Sequence, residues 1–156
     1  MDQSRKLKIQ LEIIWWFFTF LLALLVMLPI MRSVPYYKFF TENVVFVVVF
    51  VTFTRYIFLL KHSFLAHMKW VKMIIIATSV IVIFMLVLSI GDYSSFLKEE
   101  GQQKMVEHLP FKRQTQLLKY MRNEMLFFGV GAVIAAIVLP LRMVVSLWRV
   151  RNRGTV

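Results

Sequence analysis

Apolar residues fall into four long runs that polar residues separate. The runs cover about residues 11–31, 42–61, 70–90 and 125–148. Each is close to the roughly 20 residues that a helix needs to cross a bilayer. The second run is rich in valine and phenylalanine, which favour strands in water, but an isolated run inside a bilayer must satisfy its own backbone amides. The pattern predicts an all-α membrane protein, a single domain with four transmembrane helices.

The first run follows three cations, Arg5, Lys6 and Lys8, as the apolar part of a signal peptide would. It is longer than the apolar region of a signal peptide, and no small-residue cleavage pattern follows it. We therefore predict that this run is a retained transmembrane helix.

The polar segment at about residues 91–124 separates the third and fourth runs. Its second part is amphipathic, with four apolar side chains on one helical face: Leu117, Leu118, Met121 and Met125. Such a helix lies along the membrane surface or runs straight into the fourth crossing. We predict a small helical cap on which Leu117, Leu118 and Met121 form a face that docks a partner.

The composition fits a membrane protein and narrows its chemistry. Of the 156 residues, 60% are hydrophobic and 15% aromatic, which is more than a soluble domain of this size can bury. A net charge of +11 would suggest nucleic acid in a soluble protein, but these cations flank apolar runs and form no basic stripe with exposed aromatics. We expect the bilayer as a partner, and no nucleic acid. The absence of cysteine excludes disulfides and thiolate sites.

The cations also predict an orientation. With four crossings, one side carries both termini and the link near residues 61–72. Nine cations lie close to membrane ends there: Arg5, Lys6, Lys8, Lys61, Lys69, Lys72, Arg149, Arg151 and Arg153. The polar segment on the other side carries six. The positive-inside rule therefore predicts a multi-pass protein of the cytoplasmic (inner) membrane with both termini in the cytoplasm.

Two arginines lie inside apolar runs. Arg55 precedes Lys61 by six residues and Arg142 precedes Arg149 by seven, so each lies roughly 9 to 10 Å inside the basic end of its helix. Snorkelling of both side chains to the headgroups is the simpler interpretation. The alternative is a polar cluster of Arg55, Arg142 and Glu12, or a contact of the arginines with a phospholipid headgroup. For a cluster, the two arginine-to-alanine substitutions are expected to be non-additive.

Small residues in the fourth run predict close helix packing. Gly131 with Ala135 and Ala132 with Ala136 each make a small-xxx-small pair. Packing within the chain's own bundle is the simpler interpretation, and a contact with another subunit is the alternative.

Signals for catalysis or metal binding are weak. His62 and His67 are five residues apart, which does not stack them on one helix face, and His108 has Glu107 beside it and little else. The acids of the polar segment, Glu124 among them, are explained by helix solubility. The chain contains no nucleophile elbow, P-loop, HExxH motif or dinucleotide-binding turn. No cofactor, metal or catalytic residue is predicted.

Three classes of function remain. A non-catalytic accessory or scaffold subunit of a larger membrane complex is favoured, because the apolar runs carry little chemistry and the extramembrane parts are small helices suited to docking. A homo-oligomeric channel or small transporter is the alternative, although acids, amides and helix breaks are missing from the centres of the runs. A membrane-embedded lipid-modifying enzyme is the third. We expect protein partner subunits or a homo-oligomer.

Overall fold

The computed structural model describes residues 3–98 and 101–153, which are almost entirely helical. The α-helices are α1 (Gln3–Ser33), α2 (Phe40–Leu59), α3 (Lys69–Lys98), α4 (Gly101–Val106) and α5 (Phe111–Arg153). Two short 3-10 turns, Leu60–His62 and Phe64–His67, link α2 to α3. Within these two ranges no residue forms a β-strand.

Four of the helices, α1, α2, α3 and α5, are long and apolar enough to cross a membrane. This confirms the prediction of an all-α chain with four such helices, the pattern of a multi-pass membrane protein. The 43 residues of α5 extend over roughly 64 Å, about twice the thickness of a bilayer's hydrocarbon core. Part of α5 therefore lies beyond any single crossing.

Two helices extend further than the apolar runs suggest. The third run ends before Gly91, yet α3 continues to Lys98. A glycine inside a helix costs only about 1 kcal/mol, and the continued helix places Tyr93 in the core, fully buried. α5 begins at Phe111, so the second part of the polar segment and the fourth run form one continuous helix.

α5 lies at the centre of the bundle. It packs along α2 and along α3, whereas α1 packs mainly against α2. Because successive long helices run in opposite directions, one end of the bundle carries both termini and the link between α2 and α3. We call this the termini end, and we call the opposite end, which carries the α1–α2 link and α4, the far end.

The main hydrophobic core lies towards the far end. Its largest fully buried side chains come from different helices: Met27, Ile30, Phe46, Tyr93, Met121 and Met125. A smaller core at the termini end joins five residues, Tyr56, Leu60, Leu65, Leu139 and Met143.

The small residues of α5 lie inside the chain's own bundle. Ala132, Ala135 and Ala136 are buried. At Gly131, an added Cβ would lie 2.8 Å from the ring of Phe50 on α2, closer than real Cβ atoms approach. These positions therefore let α5 and α2 approach closely within one chain.

The face expected to dock a partner is also internal. Leu117 and Met121 are buried in the main core, and Leu118 is partly buried against it. The physical reason is the central position of α5, which packs on α1, α3 and α4 as well as α2. This burial corrects the docking prediction. Leu117 and Met121 stabilise the bundle and are not free to dock a partner.

Candidate functional site

Glu12 of α1 and Arg55 of α2 form a buried ion pair at the termini end. Arg55 Nη1 donates to Glu12 Oε2 over 2.7 Å. The Tyr56 hydroxyl donates to the same carboxylate oxygen over 3.4 Å. The guanidinium also lies over the rings of Trp15 and Tyr56, with its central carbon 5.4 and 5.2 Å from their centroids. Arg55 is thus enclosed by α1 and by its own helix.

The contact with Glu12 distinguishes an ion pair from snorkelling at Arg55. Snorkelling would extend the side chain towards the helix end, but the guanidinium is bonded to Glu12 and is buried. A lone charge at such a site would cost several kcal/mol, and the opposite charge of Glu12 offsets that cost. The pair therefore fixes α1 against α2.

Arg142 is not part of this pair. Its Nε donates to the backbone carbonyl of Ile57 over 3.1 Å. Ile57 lies in the last turn of α2, where carbonyls lack partners within the helix and a positive charge is favourable. The structure therefore brings Glu12 and Arg55 together and places Arg142 as a cap on the end of α2.

Lys72 makes a second buried contact at the termini end. The side chain is fully buried, and its Nζ donates to Ser146 Oγ over 2.8 Å and to the carbonyl of Ala66. It joins the start of α3 to the end of α5 and to the α2–α3 link. Sequence reasoning missed this role and counted Lys72 only among the orienting cations. The available signal was its spacing from Ile75 and Ile76, one turn along the same face of α3.

Asn43 of α2 and Glu124 of α5 form a buried contact at the far end. Asn43 Nδ2 donates to Glu124 Oε2 over 2.8 Å, and the two residues are 0% and 7% exposed. The remaining acceptors, Asn43 Oδ1 and Glu124 Oε1, have no hydrogen-bond partner among the residues that the structure describes. A buried carboxyl therefore stands beside an amide, with acceptor capacity left over.

Tyr37, in the link between α1 and α2, lies close to Asn43 and Glu124. Burial raises the pKa of its hydroxyl far above the ordinary value, and the nearby Tyr93 and Glu124 act in the same direction. Like an ordinary tyrosine hydroxyl it is protonated at neutral pH, so it is a potential hydrogen-bond donor beside these two side chains.

Sequence reasoning missed the Asn43–Glu124 contact and assigned Glu124 to helix solubility. The signal was present in the spacing, because Glu124 follows Leu117 by seven residues and Met121 by three, which places it on the apolar face of α5. An acid on that face must find a polar partner, but the partner's identity depends on the neighbouring helix.

The histidines stand apart from these contacts. His62 is exposed, and the side chain of His67 lies outside the described residues. His108 Nε2 is 2.9 Å from the backbone carbonyl of Ser33, which ties the α4–α5 link to the end of α1. Among the described residues, no three histidine, aspartate or glutamate side chains are grouped so that they could hold a metal ion.

Comparison with known proteins finds no relative of this chain. No protein-family model, curated protein or solved structure matches the chain.

Proposed function

We propose that the protein is a non-catalytic accessory or scaffold subunit of a larger membrane complex. The observation that carries this proposal is the use of buried polar side chains to join helices. Glu12 and Arg55 join α1 to α2, Lys72 and Ser146 join α3 to α5, and Asn43 and Glu124 join α2 to α5. Interhelical polar contacts of this kind hold transmembrane helices in one arrangement. A fixed arrangement is what a scaffold presents to its partners.

The exposed face of α3 is the surface that we assign to such partners. α3 buries the smallest share of its apolar span, and four of its central side chains are at least 60% exposed: Val80, Ile81, Phe84 and Met85. In a bilayer this surface contacts lipid tails or the transmembrane helices of another subunit. Because α3 packs on α5 along its other side, a second subunit can bind this exposed face without disturbing the bundle, as the proposed subunit role requires.

The test is gentle solubilisation of the tagged protein from native membranes, followed by identification of co-purifying proteins. We expect a stoichiometric partner that stays bound through size-exclusion chromatography. A Phe84→Ala, Ile81→Ala double variant should weaken that association, whereas Phe17→Ala, Leu24→Ala on the exposed side of α1 serves as the matched control. A sharp homo-oligomer with no other protein would contradict the proposal.

A homo-oligomeric channel or small transporter is the second candidate. One observation favours it: the Asn43–Glu124 pair is an amide and an acid buried inside a bundle of apolar helices, and such groups commonly mark ion or substrate pathways. Ion flux into liposomes containing the purified protein, abolished by Glu124→Gln in a folded variant, would establish this function. Flux equal to that of empty liposomes would reject it.

We further propose that the termini end faces the cytoplasm and that the protein resides in the inner membrane. The support is the set of exposed cations there: Lys6, Lys61, Lys69, Arg149 and Arg151. A reporter that is active only outside the cytoplasm should be active when fused after Gln102 and inactive when fused after Val156. The reverse pattern would contradict the orientation.

A further inference from the structure

A groove at the far end lies between the end of α1 and the start of α5. Its volume is about 460 Å³, and its lining includes Arg32, Ser33, Leu109, Arg113, Gln116 and Tyr120. The span of α1 ends at Ser33, so the groove lies where the apolar part of α1 stops. This is the level at which lipid headgroups meet a transmembrane helix.

Hydrogen bonds hold the two walls of the groove. The Tyr120 hydroxyl of α5 donates to the carbonyl of Val26 on α1 over 2.8 Å. On the other side of the groove, His108 Nε2 lies 2.9 Å from the Ser33 carbonyl, and Gln114 Nε2 donates to the Leu109 carbonyl over 2.7 Å. The groove is therefore formed before any ligand arrives, which lowers the entropic cost of binding.

Two arginines line this groove, Arg32 from α1 and Arg113 from α5. Both are exposed, and neither forms an ion pair with a described residue. Arg113 stands in the first turn of α5, where the helix dipole disfavours a cation, so helix stability does not account for it. Two unpaired guanidinium groups in one groove provide donors for the oxygens of an anion.

The groove continues along α5 into a second cavity of about 600 Å³. The two cavities share Gln116 and Tyr120, and the second reaches Asn123, Glu124 and Phe127. All of the residues that line the second cavity belong to α5. A ligand bound at the arginines therefore has a route for an apolar chain along the helix.

We propose that this groove is a phosphate site, filled by the headgroup of an anionic phospholipid. Arg32 and Arg113 donate to the phosphate oxygens, and the acyl chains follow α5 from Tyr120 towards Phe127. The proposal goes beyond the scaffold function and does not depend on it, because a lipid binds this groove whether or not the protein has partner subunits.

The experiment measures thermal unfolding of the purified full chain in a neutral detergent at constant ionic strength. Short-chain phosphatidylglycerol, inorganic phosphate and dioctanoylglycerol are titrated separately. We expect phosphatidylglycerol to raise the melting temperature with saturation, and dioctanoylglycerol, which has the chains but no phosphate, to leave it unchanged. Saturation by inorganic phosphate at similar concentrations would support the phosphate site with a soluble source. Equal stabilisation by dioctanoylglycerol, or no saturable shift with either phosphate compound, would overturn the proposal.

Matched variants identify the residues that bind. Arg32→Gln and Arg113→Gln should each weaken phosphatidylglycerol binding roughly tenfold, since each removes one charge-assisted contact. Lys112→Gln is the control, because Lys112 is exposed next to Arg113 and does not line the groove. Native mass spectrometry of retained lipid gives a readout that does not depend on thermal stability. Wild-type binding by the double arginine variant, or an equal loss in Lys112→Gln, would contradict the assignment.

Discussion

The two ends of the bundle bury polar groups in different ways. At the termini end, the Glu12 carboxylate faces the Arg55 guanidinium, and the Lys72 ammonium faces a hydroxyl and a carbonyl. At the far end, the Glu124 carboxyl accepts from the Asn43 amide and lies near the Tyr37 hydroxyl, and one acceptor oxygen on each of Asn43 and Glu124 has no partner among the described residues. Glu12 and Glu124 each keep one oxygen without a hydrogen-bond partner among the described residues. The difference between the ends is therefore one of charge, because Glu12 is balanced by the Arg55 guanidinium and Glu124 is bonded to a neutral amide.

The largest expected effect comes from breaking the ion pair of the termini end. Arg55→Ala leaves the Glu12 carboxylate buried without its cation, and loss of one partner of a buried pair costs about 3–5 kcal/mol. The free energy of unfolding, measured by denaturant titration in mixed micelles, should fall by that amount. Arg149→Ala, which removes an exposed arginine, should change it by less than about 0.5 kcal/mol.

A double-mutant cycle sharpens this result. Glu12→Ala combined with Arg55→Ala should cost less than the sum of the single changes by about 1 kcal/mol or more, because the two residues share one contact. Arg55→Ala combined with Arg142→Ala should be closer to additive, since Arg142 bonds to Ile57 and not to Glu12. Equal coupling in both cycles would mean that Arg142 belongs to the same cluster as Glu12 and Arg55.

Lys72 is the next largest contributor at the termini end. Lys72→Met keeps most of the buried volume but leaves Ser146 Oγ and the Ala66 carbonyl without their donor, and each loss of this kind costs about 1–3 kcal/mol. The same titration should show the destabilisation. Lys69→Met, on an exposed lysine one turn earlier, should have almost no effect; a similar loss there would mean that helix propensity or surface charge is responsible.

The smallest expected effects on stability come from glycine-to-alanine substitutions in α5 and α3, and they have opposite signs. Gly131→Ala places a methyl group 2.8 Å from the Phe50 ring and should destabilise the protein by about 1 kcal/mol. Gly91→Ala meets nothing within 4 Å and should stabilise α3 by up to about 1 kcal/mol through helix propensity. Equal signs for the two substitutions would show that close packing of α5 on α2 is not what Gly131 provides.

The lengths of the apolar runs were enough to predict the number and type of the long helices, because a run near 20 apolar residues has few other structures in a bilayer. They were not enough to pair the side chains between helices. The matched depth of Arg55 and Arg142 suggested a cluster with Glu12 only as the alternative to snorkelling. That Glu12 pairs with Arg55 and not with Arg142 depends on how the helices are rotated. Lys72 and Glu124 could be assigned only as surface charges from the sequence. Their buried partners, Ser146 and Asn43, depend on which faces of α2, α3 and α5 contact each other.

The comparison of the two ends is tested most directly by one isosteric change made at both buried acids. Glu12→Gln removes the charge that balances Arg55 and should lower the free energy of unfolding by about 2 kcal/mol or more. Glu124→Gln keeps an acceptor for Asn43 Nδ2 and removes no ion pair, so it should change stability by less than about 1 kcal/mol or raise it. Equal destabilisation by the two substitutions, or a larger loss at Glu124, would show that the two ends do not differ in how their buried acids are balanced.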